Sequence, residues 1–253
     1  MRIARFSKDG DVAFAVVEGD ELAVLDRHPF GAVTFTGERV PVADVRLLAP
    51  MIPSKVVAIG KNYADHAREM GGEAPASPVL FMKPSTAVCG PGDPIQRPAG
   101  VERLDFEGEL AVVIGRLARD VPVTRALGVV LGYTCANDVT ARDQQKTDGQ
   151  WTRAKGYDTF CPIGPWIETD LDPGDLPIRT TLNGDTRQDS TTALLLHDVP
   201  TLISYVTAVM TLLPGDIVLT GTPAGVGPMV AGDEVSVTVE GIGTLTNPVV
   251  SRG

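Results

Sequence analysis

Acidic side chains are regularly spaced along the apolar segment at residues 104–114, and this pattern constrains the chain more than any other. The segment predicts a β-strand, along which successive side chains point to opposite faces. Asp105, Glu107 and Glu109 would then share one face, where burying unpaired carboxylates together is costly. A divalent cation removes that cost, because Mg²⁺ binds oxygen ligands. Asp138, which follows the next apolar segment, supplies a further carboxylate, so we predict a metal site formed by Glu107, Glu109 and Asp138. The alternative is a solvated acidic strand face that holds no ion.

The composition argues against several classes of protein. The 253 residues carry a formal net charge of −10, and no basic cluster indicates a nucleic-acid-binding surface. Three widely spaced cysteines, Cys89, Cys135 and Cys161, fit neither a disulfide framework nor a zinc site, which favours a reducing compartment. The first residues lack the apolar core of a signal peptide, and no apolar run reaches the ~20 residues of a membrane span. We therefore expect a cytoplasmic protein that binds neither nucleic acid nor membrane.

Turn-forming residues are frequent, with 27 glycines and 20 prolines, and long helical patterns are rare. This predicts a mainly β protein with short helices, in the α+β class. The first predicted elements are three short strands separated by glycine-containing turns, at residues 2–6, 12–17 and 21–25. Two prolines at residues 49–54 interrupt regular structure and indicate a linker. We predict a small N-terminal β domain at residues 1–48, that linker, and a main domain at residues 55–253.

Two later elements have clear sequence signals. Asn183-Gly184 predicts a type I′ turn that joins strands at residues 177–182 and 185–188 into a hairpin. An amphipathic helix is predicted from about Pro200 to the residues before Pro214, because apolar side chains recur there at helical spacing. We expect this apolar stripe to belong to the core; its members are Leu202, Ile203, Val206, Val209, Met210 and Leu213.

A short helix capped by Asn62 is predicted after the first strand of the main domain. His66 and Glu69 are three residues apart, so they share one face of that helix. A carboxylate beside a histidine orients the ring and stabilises its protonated form, which is an arrangement typical of a general base. The alternative is a surface ion pair on a short helix.

Further candidates lie around the second acidic segment. A short helix at residues 140–146 would place Arg142 and Gln145 on one face. Residues 151–162 are predicted to be a loop in which Lys155 is a functional candidate, because functional groups concentrate in such loops. The alternative is an ordinary surface connection with a solvated Lys155. Lys83, at the end of a predicted strand, is a further candidate for substrate binding.

A glycine-rich loop at residues 220–228 follows a predicted buried strand at residues 217–219. It lacks the Gly-Lys-Ser/Thr sequence of a phosphate-binding loop, which argues against nucleotide binding. Its backbone N–H groups and the Thr222 hydroxyl are suited to holding a carboxylate. The alternative is a tight turn between two strands.

Five short motifs occur in one order along the main domain, and together they resemble the fumarylacetoacetate hydrolase family over about residues 55–250. The motifs are Gly-Lys-Asn-Tyr-Ala-Asp-His at 60–66, Asp-Phe-Glu-Gly-Glu at 105–109, Asn-Asp-Val-Thr-Ala-Arg-Asp at 137–143, Ala-Lys at 154–155 and Thr-Gly-Thr-Pro-Ala-Gly-Val-Gly at 220–227. The resemblance implies a mixed β-sandwich roll, an Mg²⁺ or Mn²⁺ ion at the three carboxylates, and usually a homodimer.

The resemblance also implies a role for each remaining candidate. It gives His66 and Glu69 as the pair that activates water, and Lys155 and Gln145 as groups that assist at the reacting carbonyl. Arg142 and Thr222 would bind the carboxylate of the substrate. The implied substrate is a small 2-oxo acid.

One position departs from the pattern of the liver-type hydrolases, which carry an additional metal-binding Asp where this chain has Lys61. The chain is therefore similar to the shorter bacterial members of the family. The expected reaction is metal-dependent hydrolysis of a carbon–carbon bond in 2,4-dioxo acids of the acylpyruvate or fumarylpyruvate type, in the breakdown of aromatic rings. Alternatives on the same scaffold are an oxaloacetate decarboxylase and a 2-hydroxyhepta-2,4-diene-1,7-dioate isomerase. An alternative of another class is an inactive binding or assembly module.

Overall fold

The computed structural model describes residues 1–252, and the predicted mainly β fold with short helices is confirmed. The strands are β1 Arg2–Lys8, β2 Asp11–Glu18, β3 Glu21–Leu25, β4 Phe35–Pro41, β5 Arg46–Leu48, β6 Val56–Gly60, β7 Val79–Lys83, β8 Val88–Cys89, β9 Ile95–Arg97, β10 Leu104–Phe106, β11 Gly108–Ile114, β12 Val130–Asn137, β13 Thr140–Ala141, β14 Cys161–Glu168, β15 Pro177–Leu182, β16 Asp185–Thr191, β17 Ile217–Leu219, β18 Gly227–Met229, β19 Glu234–Val239 and β20 Gly243–Ser251. The α-helices are α1 Ala64–Glu69, α2 Arg142–Thr147, α3 Thr152–Lys155 and α4 Val199–Val209. Turns of 3₁₀-helix occur at Val42–Asp44, Ser85–Ala87, Val123–Val129 and Thr192–Leu194.

Three sheets organise the described chain. A 12-stranded sheet has the order β4-β3-β2-β1-β14-β12-β11-β17-β6-β7, with β5 paired to β1 and β8 paired to β14. A five-stranded sheet has the order β16-β15-β19-β20-β9, and a three-stranded sheet has the order β13-β10-β18. The N-terminal strands extend the large sheet, because β1 pairs antiparallel with β14 and Arg2 lies opposite Glu168. The division of the chain at residues 49–54 stays a prediction.

Strand β11 lies inside the 12-stranded sheet and is buried on both faces. Leu110 and Val112 point to one face, where they pack in a cluster with Ile178 of the five-stranded sheet and Ile203 of α4. Ala111 points to the opposite face and joins a second cluster. A strand covered on both faces reads as a continuous apolar run rather than an alternating one. The two acidic positions at its start are therefore exceptions within a buried environment.

The predicted single strand at residues 104–114 is wrong in one respect, because it is interrupted at Glu107. Strand β10, before the interruption, belongs to the three-stranded sheet, whereas β11 belongs to the 12-stranded sheet. The chain changes sheets at Gly108, where a Cβ atom would lie 2.0 Å from the Thr180 hydroxyl of β15. Only glycine permits so close an approach. Asp105, in β10 before the interruption, is outside the cluster of the other three acids and pairs with Arg103 and Arg142.

Helix α4 is shorter than predicted. It begins with a side-chain cap, in which the Asp198 carboxylate accepts a hydrogen bond of 2.9 Å from the Thr201 N–H. It ends at Val209, whose side chain is exposed, and Met210 is extended. Leu202, Ile203 and Val206 are buried as predicted, but the C-terminal part of the predicted stripe does not form a helical face.

The predicted hairpin around Asn183-Gly184 is confirmed, since β15 pairs with β16 and both turn residues have positive φ, 53° and 87°. Among the helices of residues 1–252, none combines the length and apolar character that crossing a membrane requires.

Candidate active site

Three carboxylates meet at the junction between the sheets. Glu107 occupies the interruption between β10 and β11, Glu109 is on β11, and Asp138 directly follows β12. The backbone fixes their relative positions, because Asp138 N–H donates to the Glu107 carbonyl at 2.8 Å and Glu107 N–H donates to the Asn137 side chain at 2.9 Å. One carboxylate oxygen from each acid lies within 4.8 Å of those of the other two, and all three residues are buried. The convergence predicted from the sequence is therefore present in the structure.

Buried cations surround two of these three acids. The Lys155 ammonium donates to Glu107 Oε2 at 2.8 Å and to Asp138 Oδ2 at 2.6 Å. Arg142 Nη2 donates to Glu107 Oε1 at 2.5 Å, and Lys83 Nζ donates to Asp138 Oδ1. Burial raises the pKa of Glu107, but the charges of Lys155 and Arg142 outweigh burial and hold that pKa below its usual value. The pKa of Lys155 is raised, because Asp138 and Glu107 outweigh the effect of its burial.

Glu109 makes no ion pair with any residue between 1 and 252. One of its oxygens accepts a hydrogen bond of 2.7 Å from Gly221 N–H. Burial, followed by the charges of Asp138 and Glu107, raises the pKa of Glu109 well above 4.5. A buried carboxylate without a cation of its own, beside two others, is the environment that a divalent cation stabilises. Because all the donors are carboxylate oxygens, the site suits a hard ion such as Mg²⁺ or Mn²⁺.

Helix α1 places His66 and Glu69 beside this cluster. His66 Nδ1 lies 3.2 Å from Glu69 Oε2, and the second Glu69 oxygen accepts a hydrogen bond of 3.0 Å from Gly225 N–H. The Glu69 carboxylate therefore connects the histidine to the glycine-rich loop. His66 is only 5% exposed. The predicted helical face is present, and the alternative of a solvated surface pair does not describe His66.

A cavity of about 170 Å³, open to solvent, brings His66 and the three carboxylates together. Its wall includes His66, the three carboxylates, Gln145, Lys146, Trp151 and Thr222. Trp151 packs edge-on against Phe81, with ring centroids 5.2 Å apart. A Cβ atom at Gly60 would lie 2.7 Å from the Trp151 ring, so glycine at this position allows the indole to form the wall. The floor of the cavity is thus formed by buried carboxylates, and its sides are partly aromatic.

The remaining predicted site residues, Gln145, Thr222 and Arg142, already make hydrogen bonds or ion pairs within the protein. Gln145 lines the cavity, and its carbonyl oxygen accepts a hydrogen bond of 2.5 Å from Arg142 Nη1. The Thr222 hydroxyl donates to the Gly108 carbonyl at 2.8 Å and accepts from Gln188, so its proton is already used within the protein. The Arg142 guanidinium is paired with Asp105 and Glu107 as well as Gln145.

Three sequence-based expectations need correction. Lys83 is not among the residues that line the cavity; it is fully buried and paired with the Asp138 carboxylate, so it presents no accessible surface to a substrate. Lys155 is at the end of the short helix α3 rather than in a loop, and it is buried rather than solvated. Asn62 is not the cap of α1; its side chain instead binds the Thr220 carbonyl and the backbone of His197.

Gln188 is a buried residue beside the site that the sequence did not reveal. Its amide accepts from Gly108 N–H at 2.9 Å and donates to the Thr222 hydroxyl and the Pro223 carbonyl, both at 2.7 Å. It therefore ties the strand interruption to the glycine-rich loop. Gln188 is buried while its neighbours Arg187 and Asp189 are exposed. One inward polar residue in a polar hairpin gives no signal in the sequence.

Comparison with known proteins identifies the family. Residues 55–250 match the family model described as fumarylacetoacetate (FAA) hydrolase C-terminal, and residues 1–50 match one described as Rv2993c-like, N-terminal. The chain belongs to the fumarylacetoacetate hydrolase family. The predicted resemblance is therefore confirmed, and members of this family are enzymes.

Similar members of the fumarylacetoacetate hydrolase family are named for different reactions. The crystal structure of a 5-carboxymethyl-2-hydroxymuconate delta-isomerase from Mycobacterium smegmatis is 58% identical and covers 100% of both chains, with a TM-score of 0.95. A maleylpyruvate hydrolase from Sphingobium sp. SYK-6, in complex with manganese(II) and pyruvate, is 34% identical over 100% of both chains, with a TM-score of 0.83. The mitochondrial oxaloacetate tautomerase Fahd2a of Rattus norvegicus is 42% identical over 98% of this chain and 79% of that protein.

Proposed function

We propose that this chain is a divalent-metal-dependent enzyme that hydrolyses a carbon–carbon bond in 2,4-dioxo acids, as part of aromatic breakdown. The observation that carries the proposal is one cavity lined by three buried carboxylates and by His66, whose ring is in turn paired with Glu69. The manganese- and pyruvate-bound hydrolase of the same family supports a metal and a 2-oxo acid as the ligands of this site.

Glu107, Glu109 and Asp138 would hold the Mg²⁺ or Mn²⁺ ion. When bound, such an ion acts as a Lewis acid and a template for the oxygens of a 2-oxo acid. The protein contributes position and charge: Lys83, behind Asp138, donates a hydrogen bond to that carboxylate and orients it. Buried partners of this kind orient metal ligands and commonly matter for affinity.

His66 is the proposed general base. Its Nδ1 faces the Glu69 carboxylate, so the proton of the neutral ring belongs on Nδ1 and the Nε2 lone pair accepts a proton from water. Glu69 stabilises the imidazolium that results. The water oxygen then forms a bond to the distal carbonyl carbon. The carbon–carbon bond breaks, and its electron pair leaves as the enolate of a 2-oxo acid. Return of the proton from His66 to carbon completes the hydrolysis, so the ring ends the cycle neutral.

Two side chains are proposed to assist at the reacting carbonyl. Because the Gln145 carbonyl oxygen is bound to Arg142, its NH₂ group is left to donate into the cavity. Lys155 lies beside two ligand carboxylates, and reaching the carbonyl requires its ammonium to turn away from one of them. Removal of one donor of this type typically costs ~10²–10³ in rate.

A second candidate function is isomerisation or tautomerisation, which moves a proton without adding water. The isomerase and oxaloacetate tautomerase among the relatives favour it, and His66 has the position to move that proton. Decarboxylation of oxaloacetate is a third outcome on the same scaffold, since it forms the same enolate by loss of CO₂. We favour an active enzyme over an inactive binding module, because the carboxylates and the proposed base line one cavity and Glu69 contacts that base.

A substrate panel tests the proposal. The purified chain, supplied with Mg²⁺ or Mn²⁺, is incubated with acetylpyruvate, fumarylpyruvate and oxaloacetate. Pyruvate, CO₂ and the keto–enol ratio are measured separately. We expect metal-dependent release of pyruvate from a 2,4-dioxo acid. Enol-to-keto conversion alone would support the tautomerase, CO₂ release alone would support the decarboxylase, and no turnover with either metal would refute an enzyme of this class.

A further inference from the structure

Two lysines on the cavity wall have no partner in the described chain. Lys61, directly after β6, and Lys146, on α2, both line the cavity. Neither makes an ion pair or a side-chain hydrogen bond with residues 1–252. By contrast, the deeper cations Lys83, Lys155 and Arg142 all contact carboxylates. Unpaired ammonium groups that face a binding cavity are positioned for an anionic ligand.

The two lysines lie farther out than the metal-ligand cluster. Glu107, Glu109 and Asp138 are between 1% and 4% exposed, whereas Lys61 is half-buried and Lys146 is exposed. A substrate whose 2-oxo acid end reaches the carboxylate cluster therefore extends toward these ammonium groups with its other end. Lys146 also lines an adjoining recess that Arg103 and Met70 share, so positive charge continues beyond the cavity mouth.

The charge balance of the site favours a second negative charge on the ligand. Asp105 and the three ligand acids face four cations, Arg103, Arg142, Lys83 and Lys155. A divalent ion adds positive charge to this balanced set, and the one further acid on the wall of the adjoining recess, Glu69, offsets part of it. A 2-oxo monocarboxylate neutralises one of the positive charges that the ion adds. Its uncharged tail would then lie beside Lys61 and Lys146 and leave both ammonium groups without a partner.

The backbone at Lys61 is held in a conformation that lysine rarely adopts. Its φ is +57°, in the left-handed region, which is unfavourable for a residue other than glycine. The neighbouring Asn62 fixes this conformation through hydrogen bonds to the Thr220 carbonyl and to the His197 N–H. The Lys61 ammonium lies against Gly72, where a Cβ atom would approach it to 3.1 Å.

We propose that Lys61 and Lys146 bind a carboxylate at the far end of the substrate, so that this chain selects dicarboxylic 2-oxo acids over those with an uncharged tail. This inference rests on the proposed function for the position of the 2-oxo acid end. It assigns recognition of the substrate tail to two residues that make no hydrogen bond or ion pair with Glu107, Glu109 or Asp138.

Binding of matched ligands tests the inference without turnover. Calorimetry on the Mg²⁺-loaded protein compares 2-oxo dicarboxylates of five to seven carbons with 2-oxo monocarboxylates of equal length. For at least one length, we expect the dicarboxylate to bind about 10-fold more tightly, as expected for a charge-assisted hydrogen bond at a partly exposed site. In Lys61→Met and Lys146→Met that ratio should fall toward one, whereas monocarboxylate affinity should be unchanged.

Two control variants make the result specific. Lys8→Met removes the same charge from the end of β1, outside the cavity, and should keep the wild-type ratio. Lys61→Arg retains the charge and should retain most of the preference. Equal affinity for both ligands of every pair would overturn the inference, as would equal losses for both ligands in the lysine variants. Failure of the proposed function is distinguishable, because it would appear as absent metal-dependent turnover while the preference between paired ligands persists.

Discussion

Replacement of Glu109 by glutamine separates two effects of the carboxylate cluster: the repulsion that destabilises the metal-free protein, and the binding of a metal ion. Glu109 is 1% exposed, has no cation partner within residues 1–252, and lies with two other acids inside 4.8 Å. At 4.8 Å and an effective dielectric constant of ~20, two like charges repel by about 3.5 kcal/mol. Lys155 offsets much of this repulsion, so we expect a net cost of about 1–3 kcal/mol in the metal-free protein. Glu109→Gln removes that cost and keeps an acceptor for Gly221 N–H.

Thermal unfolding in chelator and in excess metal measures both effects. In chelator, Glu109→Gln should unfold about 2–12 °C above wild type, because 1 kcal/mol corresponds to about 2–4 °C for a chain of this size. Metal at ~100 times its Kd should stabilise wild type by about 2.7 kcal/mol, and the variant by much less. When metal is added, the difference in Tm between Glu109→Gln and wild type should therefore become smaller or change sign.

Asp105→Asn is the matched control, because Asp105 is equally buried but is paired with Arg103 and Arg142. Breaking a buried pair of this kind costs about 3 kcal/mol, so this variant should lose stability with and without metal. The reasoning would be refuted if Glu109→Gln lost as much stability in chelator as Asp105→Asn, or if it kept the full metal-induced increase in Tm.

Three other predictions use different properties of the molecule. His66→Ala should lose hydrolysis by ~10²–10⁴-fold in steady-state assays while keeping the metal-induced Tm increase, and Glu69→Gln should lose less; undiminished hydrolysis in His66→Ala would show that another group is the base. For Asp216, burial raises the pKa, but hydrogen bonds from Leu213 N–H, Lys55 and Ser54 outweigh burial and lower it below 3.8. The contribution of ionised Asp216 to the free energy of unfolding is therefore present above pH 3.8 and lost as the pH falls through the lowered pKa. Asp216→Asn should cost about 3 kcal/mol of stability at pH 7 and progressively less in acid, as measured by chemical unfolding at several pH values. A cost that does not change with pH would contradict this assignment. The family relationship predicts a homodimer, so light scattering at micromolar concentration should give twice the mass of one chain, and a strict monomer would exclude it.

The sequence predicted the metal cluster because carboxylates in a buried apolar segment are costly without a counter-ion. The local pattern therefore named Glu107, Glu109 and Asp138 as candidates, and the resemblance to the family favoured a metal site over a solvated strand face. The helical spacing of His66 and Glu69 was equally local. The hairpin at Asn183-Gly184 was predictable for the same reason, because its turn chemistry depends on two adjacent residues.

The parts that the sequence did not predict depend on contacts between segments far apart in the chain. The interruption of the strand at Glu107 follows from the close approach of Gly108 to Thr180, which is 72 positions later in the sequence. Lys83 and Lys155 looked like solvated or substrate-facing cations, and only the tertiary fold buries both against Asp138. The end of α4 at Val209 is another such case, since a continuing apolar pattern indicated more helix than the packing supports.

Turnover before and after removal of metal tests the central claim most directly. The wild-type chain is treated with chelator, shown to be metal-free by elemental analysis, and assayed for release of pyruvate from fumarylpyruvate. We predict no release in the metal-free state, recovery on addition of Mg²⁺ or Mn²⁺, and no recovery in Glu109→Gln. Full release of pyruvate by the metal-free protein would contradict the claim that Glu107, Glu109 and Asp138 hold an ion needed for the reaction.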